Sequence, residues 1–245
     1  SLLWLRILHF CSMKIELCVA SVEALLSAKT LGVDRIELCV NLEQGGLTPS
    51  IGFVKKAQDL GIETHVLIRP RSGGFVYNEH EMEIILADVL EFQRLNVDGL
   101  VLGMLTDTMR LNRPVLEQIR NIFNKSLTFH RAFDDLVEWK QELQWLVDAG
   151  YNRVLSSGLS TTISHGIPVL ASMKQEAKGR IEIMPGGGIN LSNLPLIMDQ
   201  VAPDAVHFSA TGKQSLDPDS MFSEEVLIFD ENKAKRLIEM CRNFS

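Results

Sequence analysis

The segment Ile15-Glu-Leu-Cys-Val19 recurs, residue for residue, as Ile36-Glu-Leu-Cys-Val40. Both copies alternate strictly. Ile15, Leu17 and Val19, like Ile36, Leu38 and Val40, fall on one side of a strand, and Glu16 and Cys18, like Glu37 and Cys39, fall on the other. The spacing between copies is too long for a hairpin and leaves room for a crossover helix, so the two strands are predicted to run parallel.

Six further short runs of this kind follow, giving strands over 14–19, 35–40, 62–69, 99–102, 127–131, 153–156, 181–184 and 205–208. Helical patterns separate them, over 21–30, 50–60, 79–95, 114–123, 138–149, 164–177, 191–200 and 231–242. Ser21 and Asn78 are placed as helix N-caps, the latter with Glu81 in capping-box spacing, and Gly61 and Gly150 stand where helices should stop. Asp34, Asp98, Asn152 and Asp204 each occupy the last position before a strand, where a short polar side chain is expected to bond the local backbone. Eight strand–helix units predict an α/β fold, a (β/α)8 TIM-type barrel of parallel strands. A doubly wound sheet fits less well, because no GxGxxG follows the first strand. The barrel is expected to be one domain over residues 13–245. Met13 reads as the natural start, with residues 1–12 an upstream extension, and 212–230 is the stretch with least regular pattern.

In a parallel barrel the outer strand face packs on helices and is apolar, so the polar face must look inward. Alternation then sends Glu16, Glu37, Glu182, His65, Arg69, Thr128, His130, Met184, His207 and Ser209 into the interior. Such interiors are ordinarily filled by branched aliphatic side chains. Buried charge costs several kcal/mol unless paired, so this set predicts either a compensated ionic network or a site.

Composition narrows the function. With 245 residues, 46 % of them hydrophobic, the chain has ample material for one core. A net charge of −7 without a basic run argues against nucleic-acid binding, and no apolar run is long enough to span a membrane. Four cysteines (Cys11, Cys18, Cys39 and Cys241) in a chain of this length do not make a disulfide scaffold and suit a reducing, cytoplasmic compartment.

Cys18 and Cys39 fall at matching places on neighbouring strands about 4.8 Å apart. Two thiolates holding one soft ion at about 2.3 Å each need sulfurs roughly 4–5 Å apart. Copper(I), chosen by thiolate and thioether, fits that spacing, with Met184 a candidate third donor. The same pair also fits a plain packing role, since cysteine is among the most buried residues.

The loops after the strands carry further chemistry. Arg69 and Arg71 flank a proline and precede two glycines, a guanidinium pair suited to a carboxylate or phosphate. His130, Arg131 and Asp134 place a base, a cation and an acid within one turn, with Asp134 positioned to orient either neighbour. Gly186, Gly187 and Gly188 lead toward a helix and can expose backbone N–H groups to an anion. With Ser209 they form the loops after strands seven and eight, where barrels of this type often bind phosphate.

Several of these segments, in order, resemble the CutC copper-homeostasis family: Glu16-Leu-Cys18-Val, Asp34-Arg-Ile-Glu37-Leu-Cys39, Gly45-Gly-Leu-Thr-Pro-Ser50, Ile68-Arg-Pro-Arg71, Phe129-His-Arg-Ala-Phe-Asp134 and Gly186-Gly-Gly-Ile189. The resemblance runs from Met13 to about Gly212; residues 1–12 and 213–230 depart from it. It implies a (β/α)8-type barrel, a cytoplasmic location, self-association as a dimer or tetramer, and copper(I) binding with Cys18 and Cys39 as metal ligands.

Two readings of function result. The first is a copper homeostasis protein binding Cu(I) through Cys18 and Cys39. The second is an enzyme (an acid/base lyase, isomerase or hydrolase) acting on a small anionic or phosphorylated metabolite. In it Glu16, Glu37, Arg69, His130, Arg131 and Asp134 form the catalytic set, and Arg69, Arg71, Gly186, Gly187, Gly188 and Ser209 hold the anion. A divalent-metal hydrolase built on the three glutamates and the histidines ranks behind both, since no HExxH-like spacing exists.

Overall fold

The structure is a computed structural model and describes residues 13–215 and 225–244. Its order is β1 (Lys14–Val19), α1 (Val22–Leu31), β2 (Arg35–Leu38), α2 (Ile51–Asp59), β3 (Thr64–Leu67), α3 (Glu79–Arg94), β4 (Gly99–Leu102), α4 (Arg113–Ile122), β5 (Ser126–Phe129), α5 (Trp139–Asp148), β6 (Arg153–Ser156), α6 (Ile163–Ala177), β7 (Glu182–Pro185), α7 (Leu194–Val201) and β8 (Ala205–Phe208). A hairpin of β9 (Thr211–Ser215) and β10 (Glu225–Phe229) then leads into α8 (Glu231–Arg242). The eight-stranded sheet has the order β7-β6-β5-β4-β3-β2-β1-β8, every ladder parallel, and β7 and β8 lie side by side to bring the ring almost to closure. The (β/α)8 barrel expected from the pattern is therefore the fold.

Alternation separates two cores. Ile15, Leu17, Val19, Ile36, Leu38, Val66 and Ile68 join one apolar layer with the buried faces of the helices. Cys18, Cys39, Leu67 and Val101 form a separate cluster inside the ring, and Leu155, Met184 and Ala205 another. Arg35 and Arg153 also lie buried in the interior; they open β2 and β6 on the inward parity.

The four pre-strand residues do something other than bond their own strand. The carboxylates of Asp34, Asp98 and Asp204 and the amide oxygen of Asn152 accept the backbone N–H of Ile15, Thr64, Ile183 and Leu127, at 2.8–3.1 Å. Each thereby reaches the start of the preceding strand. Four strand pairs are tied in this way (β1–β2, β3–β4, β5–β6 and β7–β8). The last tie spans the seam that lacks a hydrogen-bonded ladder.

Several boundaries differ from expectation. β2 stops at Leu38, and Val40 instead bridges Leu47 in antiparallel fashion across the turn of Gly45 and Gly46. β3 is shorter at both ends. β5 ends at Phe129 because the His130 side chain caps a 3-10 turn over Arg131–Asp135. α7 begins at Leu194, since the Asn190 side-chain oxygen Oδ1 accepts the N–H groups of Ser192 and Asn193 and holds them in a turn. The stretch 212–230 contains the β9–β10 hairpin; residues 1–12, with Cys11, and residues 216–224 lie outside the described residues.

Candidate functional site

Register builds the floor of the site. Glu16 lies opposite Arg35 and His207, and Cys18 opposite Glu37, so β8, β1 and β2 present acids, thiols and an imidazole side by side. The Cys18 and Cys39 sulfurs are 3.6 Å apart, both thiols are free, and Cys18 is 3.8 Å from Glu37 Oε1. That is shorter than the roughly 4–5 Å expected for two bonds to one ion, and the cysteines do not sit at matching places: Cys18 is opposite Glu37, and Cys39 lies two residues further along, past the end of β2. Metal bonds of about 2.3 Å to sulfurs at this separation subtend roughly 100°, a bent arrangement with room for a third donor. Glu37 and His207 each bring one donor atom within 4.8 Å of the Cys18 sulfur and of each other, a group that does not include Cys39. Met184 does not take that place. Its sulfur accepts Arg35 Nη2 at 3.5 Å, and it packs with Leu155 and Ala205 away from the thiols.

Charge on this floor is balanced. Glu16, fully buried, pairs with the Arg35 guanidinium and receives His207 Nδ1 at 2.8 Å. Burial alone would raise the Glu16 carboxyl, but Arg35 and His207 outweigh it and hold it well below the usual carboxylate range. Glu37 is raised by burial, reinforced by Glu16, against the pull of His207. Burial opposes charging His207, but Glu37 and Glu16 overcome this and raise it. The hydrogen bond to Cys39, with burial, pushes the Cys18 thiol well up. A second ionic set lies elsewhere in the barrel: Arg153 donates to Glu182 at 2.6 Å and to Thr128 at 2.9 Å, and His65 meets Glu63 at 3.2 Å.

Above the floor, at the carboxyl ends of the strands, a cavity of about 460 Å³ opens. Cys18, Glu37, His207 and Ser209 border it from β1, β2 and β8, and Arg69, His130, Arg131, Gly187 and Gly188 from the remaining loops. Most of the residues predicted as a site thus meet in one place. Glu16, Cys39 and Asp134 lie behind the cavity lining, and Arg71 is turned away: its guanidinium is bound by Glu81 and by the carbonyls of Ser72, Gly74 and Val76, over the ring of Tyr77, and it does not border the cavity. Gly186 also stands back, its N–H donating to Ser156.

Arg69 is mainly committed to protein. It donates to the carbonyls of Gln44, Gly46 and Gly73 at 2.7–2.8 Å and pins two glycine turns to the rim. His130 fits because Gly103, just past the end of β4, lies opposite: a Cβ there would come within 2.5 Å of the ring. The Ala132 N–H donates to His130 Nδ1 at 3.1 Å, so the proton of the neutral ring belongs on Nε2. Burial, helped by Arg69 and Arg131, lowers the His130 pKa to about 3. Asp134 orients Arg131, not His130, accepting Arg131 Nε at 2.9 Å while also taking the Ser156 and Ser157 hydroxyls and the N–H groups of Ser157 and Leu159.

Lys233 also borders the cavity and was not anticipated. It lies in the first turn of α8, where a cation opposes the helix dipole. In a (β/α)8 barrel that end of each helix faces the mouth, and a lysine in this locally unfavourable place was the available signal.

Residues 13–212 match the CutC family profile. A CutC family protein of Glaesserella parasuis is 38 % identical over 213 residues, 86 % of this chain and 88 % of its own. The human copper homeostasis protein cutC homolog is 39 % identical over 197 residues, 80 % of this chain and 72 % of its own. The solved structure of CutC from Streptococcus agalactiae superposes with a TM-score of 0.75 at 35 % identity, covering 80 % of this chain and 97 % of that one. By its barrel, the order of its motifs and this similarity over most of its length, the chain belongs to the CutC family.

Proposed function

We propose that this protein takes part in copper homeostasis by binding one copper(I) ion between Cys18 and Cys39, within the cytoplasm. The observation that carries the reading is the pair of free sulfurs 3.6 Å apart on the floor of an open barrel mouth. Soft thiolates select copper(I) over hard ions, and Glu37 and His207 bring further donor atoms within 4.8 Å of the Cys18 sulfur. Cys18 borders the cavity, so an ion has a path to it, whereas Cys39 is fully buried behind. Free thiols this close persist only where the surroundings are reducing, which suits a cytoplasmic protein.

An anaerobic copper(I) titration against a competing chelator tests the reading. The expected result is one ion per chain in the wild type and none in Cys18→Ser/Cys39→Ser. Equal competition by both proteins would exclude the thiols as ligands.

A further inference from the structure

The upper part of the cavity contains more hydrogen-bond donors than the protein uses. Among the described residues, the backbone N–H groups of Gly187, Gly188 and Ile189 have no acceptor, and the Ser209 hydroxyl and Arg131 Nη1 have no partner. Gly187 and Gly188 hold φ values of 93° and 98°, and the Arg131 guanidinium lies flat on the loop: a Cβ on Gly187 would stand 2.8 Å from its Cζ. This position therefore needs glycine both for its backbone and for the cation above it. Lys233 adds a second cation at the same rim.

Two buried side chains make the independent case for a ligand. His130 and Arg69 are each at least nine-tenths buried and border the cavity, and His130 Nε2 and Arg69 Nε have no hydrogen-bond partner. On the neutral His130 ring that nitrogen carries the proton, so both atoms are donors. Buried donors without acceptors are rare and costly. Of the unpartnered buried side-chain atoms on the cavity's lining residues, Glu37 Oε2 on the β2 side is an acceptor, whereas His130 Nε2 and Arg69 Nε are donors, so with the loop N–H groups the arc from β3 round to β8 calls for a ligand made of acceptors. The five donors of the β7 and β8 loops and Arg131 exceed the roughly four acceptor sites of a carboxylate and match the three terminal oxygens of a phosphate.

We propose that the barrel mouth binds a small phosphate monoester, its phosphate on the N–H groups of Gly187, Gly188 and Ile189 and on Ser209, beside Arg131 and Lys233, with an oxygen of its organic part accepting from His130 Nε2. This site lies above the thiols and does not depend on them.

Amide NMR of the metal-free full chain, titrated with inorganic phosphate and then with glycerol 3-phosphate, tests it. Saturable shifts are expected at Gly187, Gly188 and Ile189 by about 10 mM phosphate, with glycerol 3-phosphate binding more tightly. Ser209→Asp places a carboxylate against the anion and should weaken both ligands about tenfold or more. His130→Asn keeps an acceptor for the Ala132 N–H that caps the turn carrying Arg131 but removes the Nε2 donor, and should leave inorganic phosphate unchanged while abolishing the preference for the ester. Cys18→Ser/Cys39→Ser should bind both within about twofold of wild type, so loss of copper binding and loss of phosphate binding are read separately. Shifts that fail to saturate, or phosphate affinity unchanged in a folded Ser209→Asp protein, would overturn the proposal. An undiminished ester preference in His130→Asn would remove its organic end.

Discussion

Glu16 and Arg35 are both fully buried and form the ionic pair on which the barrel floor rests. Replacing Glu16 with Gln keeps the shape and one acceptor but removes the negative charge. Arg35 would then keep a neutral amide oxygen in place of the carboxylate, with only the Met184 sulfur on Nη2 and the half-exposed Glu63 at 3.8 Å from Nη1 besides, and His207 would lose its anionic acceptor. Breaking one side of a buried pair costs about 3–5 kcal/mol. Because Gln still accepts from Arg35, the lower end is expected, about 3 kcal/mol. At roughly 2–4 °C per kcal/mol for a domain of this size, Tm should fall by about 6–12 °C. Urea unfolding followed by tryptophan fluorescence measures it, and Arg35→Met with the double variant completes a cycle whose coupling should reach about 2 kcal/mol. The sign with pH is also fixed. Glu16 in the folded protein titrates below its ordinary value of 4.5. Its stabilisation is therefore complete above that value and is lost as pH falls through the folded pKa. Glu16→Gln should flatten this acid limb. A loss under about 1 kcal/mol with an unchanged acid limb would show that the pair does not hold the floor together.

Three other outcomes follow from the same geometry. Copper(I) affinity should rise between about ten- and a hundredfold per pH unit near neutrality, because thiol protons must leave first and Cys18 holds its proton above the ordinary thiol range; pH-independent binding in the same chelator competition would contradict thiolate ligation. Asp204→Ala removes the acceptor of the Ile183 N–H at the β7–β8 seam and should cost about 1–3 kcal/mol. Hydrogen exchange should quicken first at Ile183, and uniform exchange across the barrel would refute a local tie. Gly103→Ala forces a methyl group into the His130 ring and should cost about 1–3 kcal/mol with a displaced His130 resonance; a neutral substitution would show the ring free to move aside.

The duplicated pentapeptide made the fold legible, because period-two alternation with one apolar face has a single meaning once the strands are parallel. Ile15, Leu17 and Val19 pack on the helices while Cys18 and Glu37 face the cavity, as the pattern required. Arg35 shows where parity was read too narrowly: it shares the inward side with Glu37 and Cys39, but an arginine opening a strand reads locally as a solvent-facing end. Asp34 and its three counterparts were visible as recurring punctuation, yet their acceptors belong to other strands and appear only in three dimensions. Met184 was assigned by softness alone, and the competing attraction of Arg35 for its sulfur could not be seen in one dimension. Arg71 shows the converse: its spacing from Arg69 suggested a guanidinium pair, but Glu81, one helix turn into α3, draws it out of the mouth. The β9–β10 hairpin escaped because Thr211–Ser215 has too few apolar residues to alternate.

X-ray absorption at the copper edge of the Cu(I)-loaded protein tests the central claim most directly. Two sulfur scatterers at about 2.3 Å are the predicted first shell, reduced to none by Cys18→Ser/Cys39→Ser. A first shell of nitrogen and oxygen only, or one unaltered in the double variant, would contradict it.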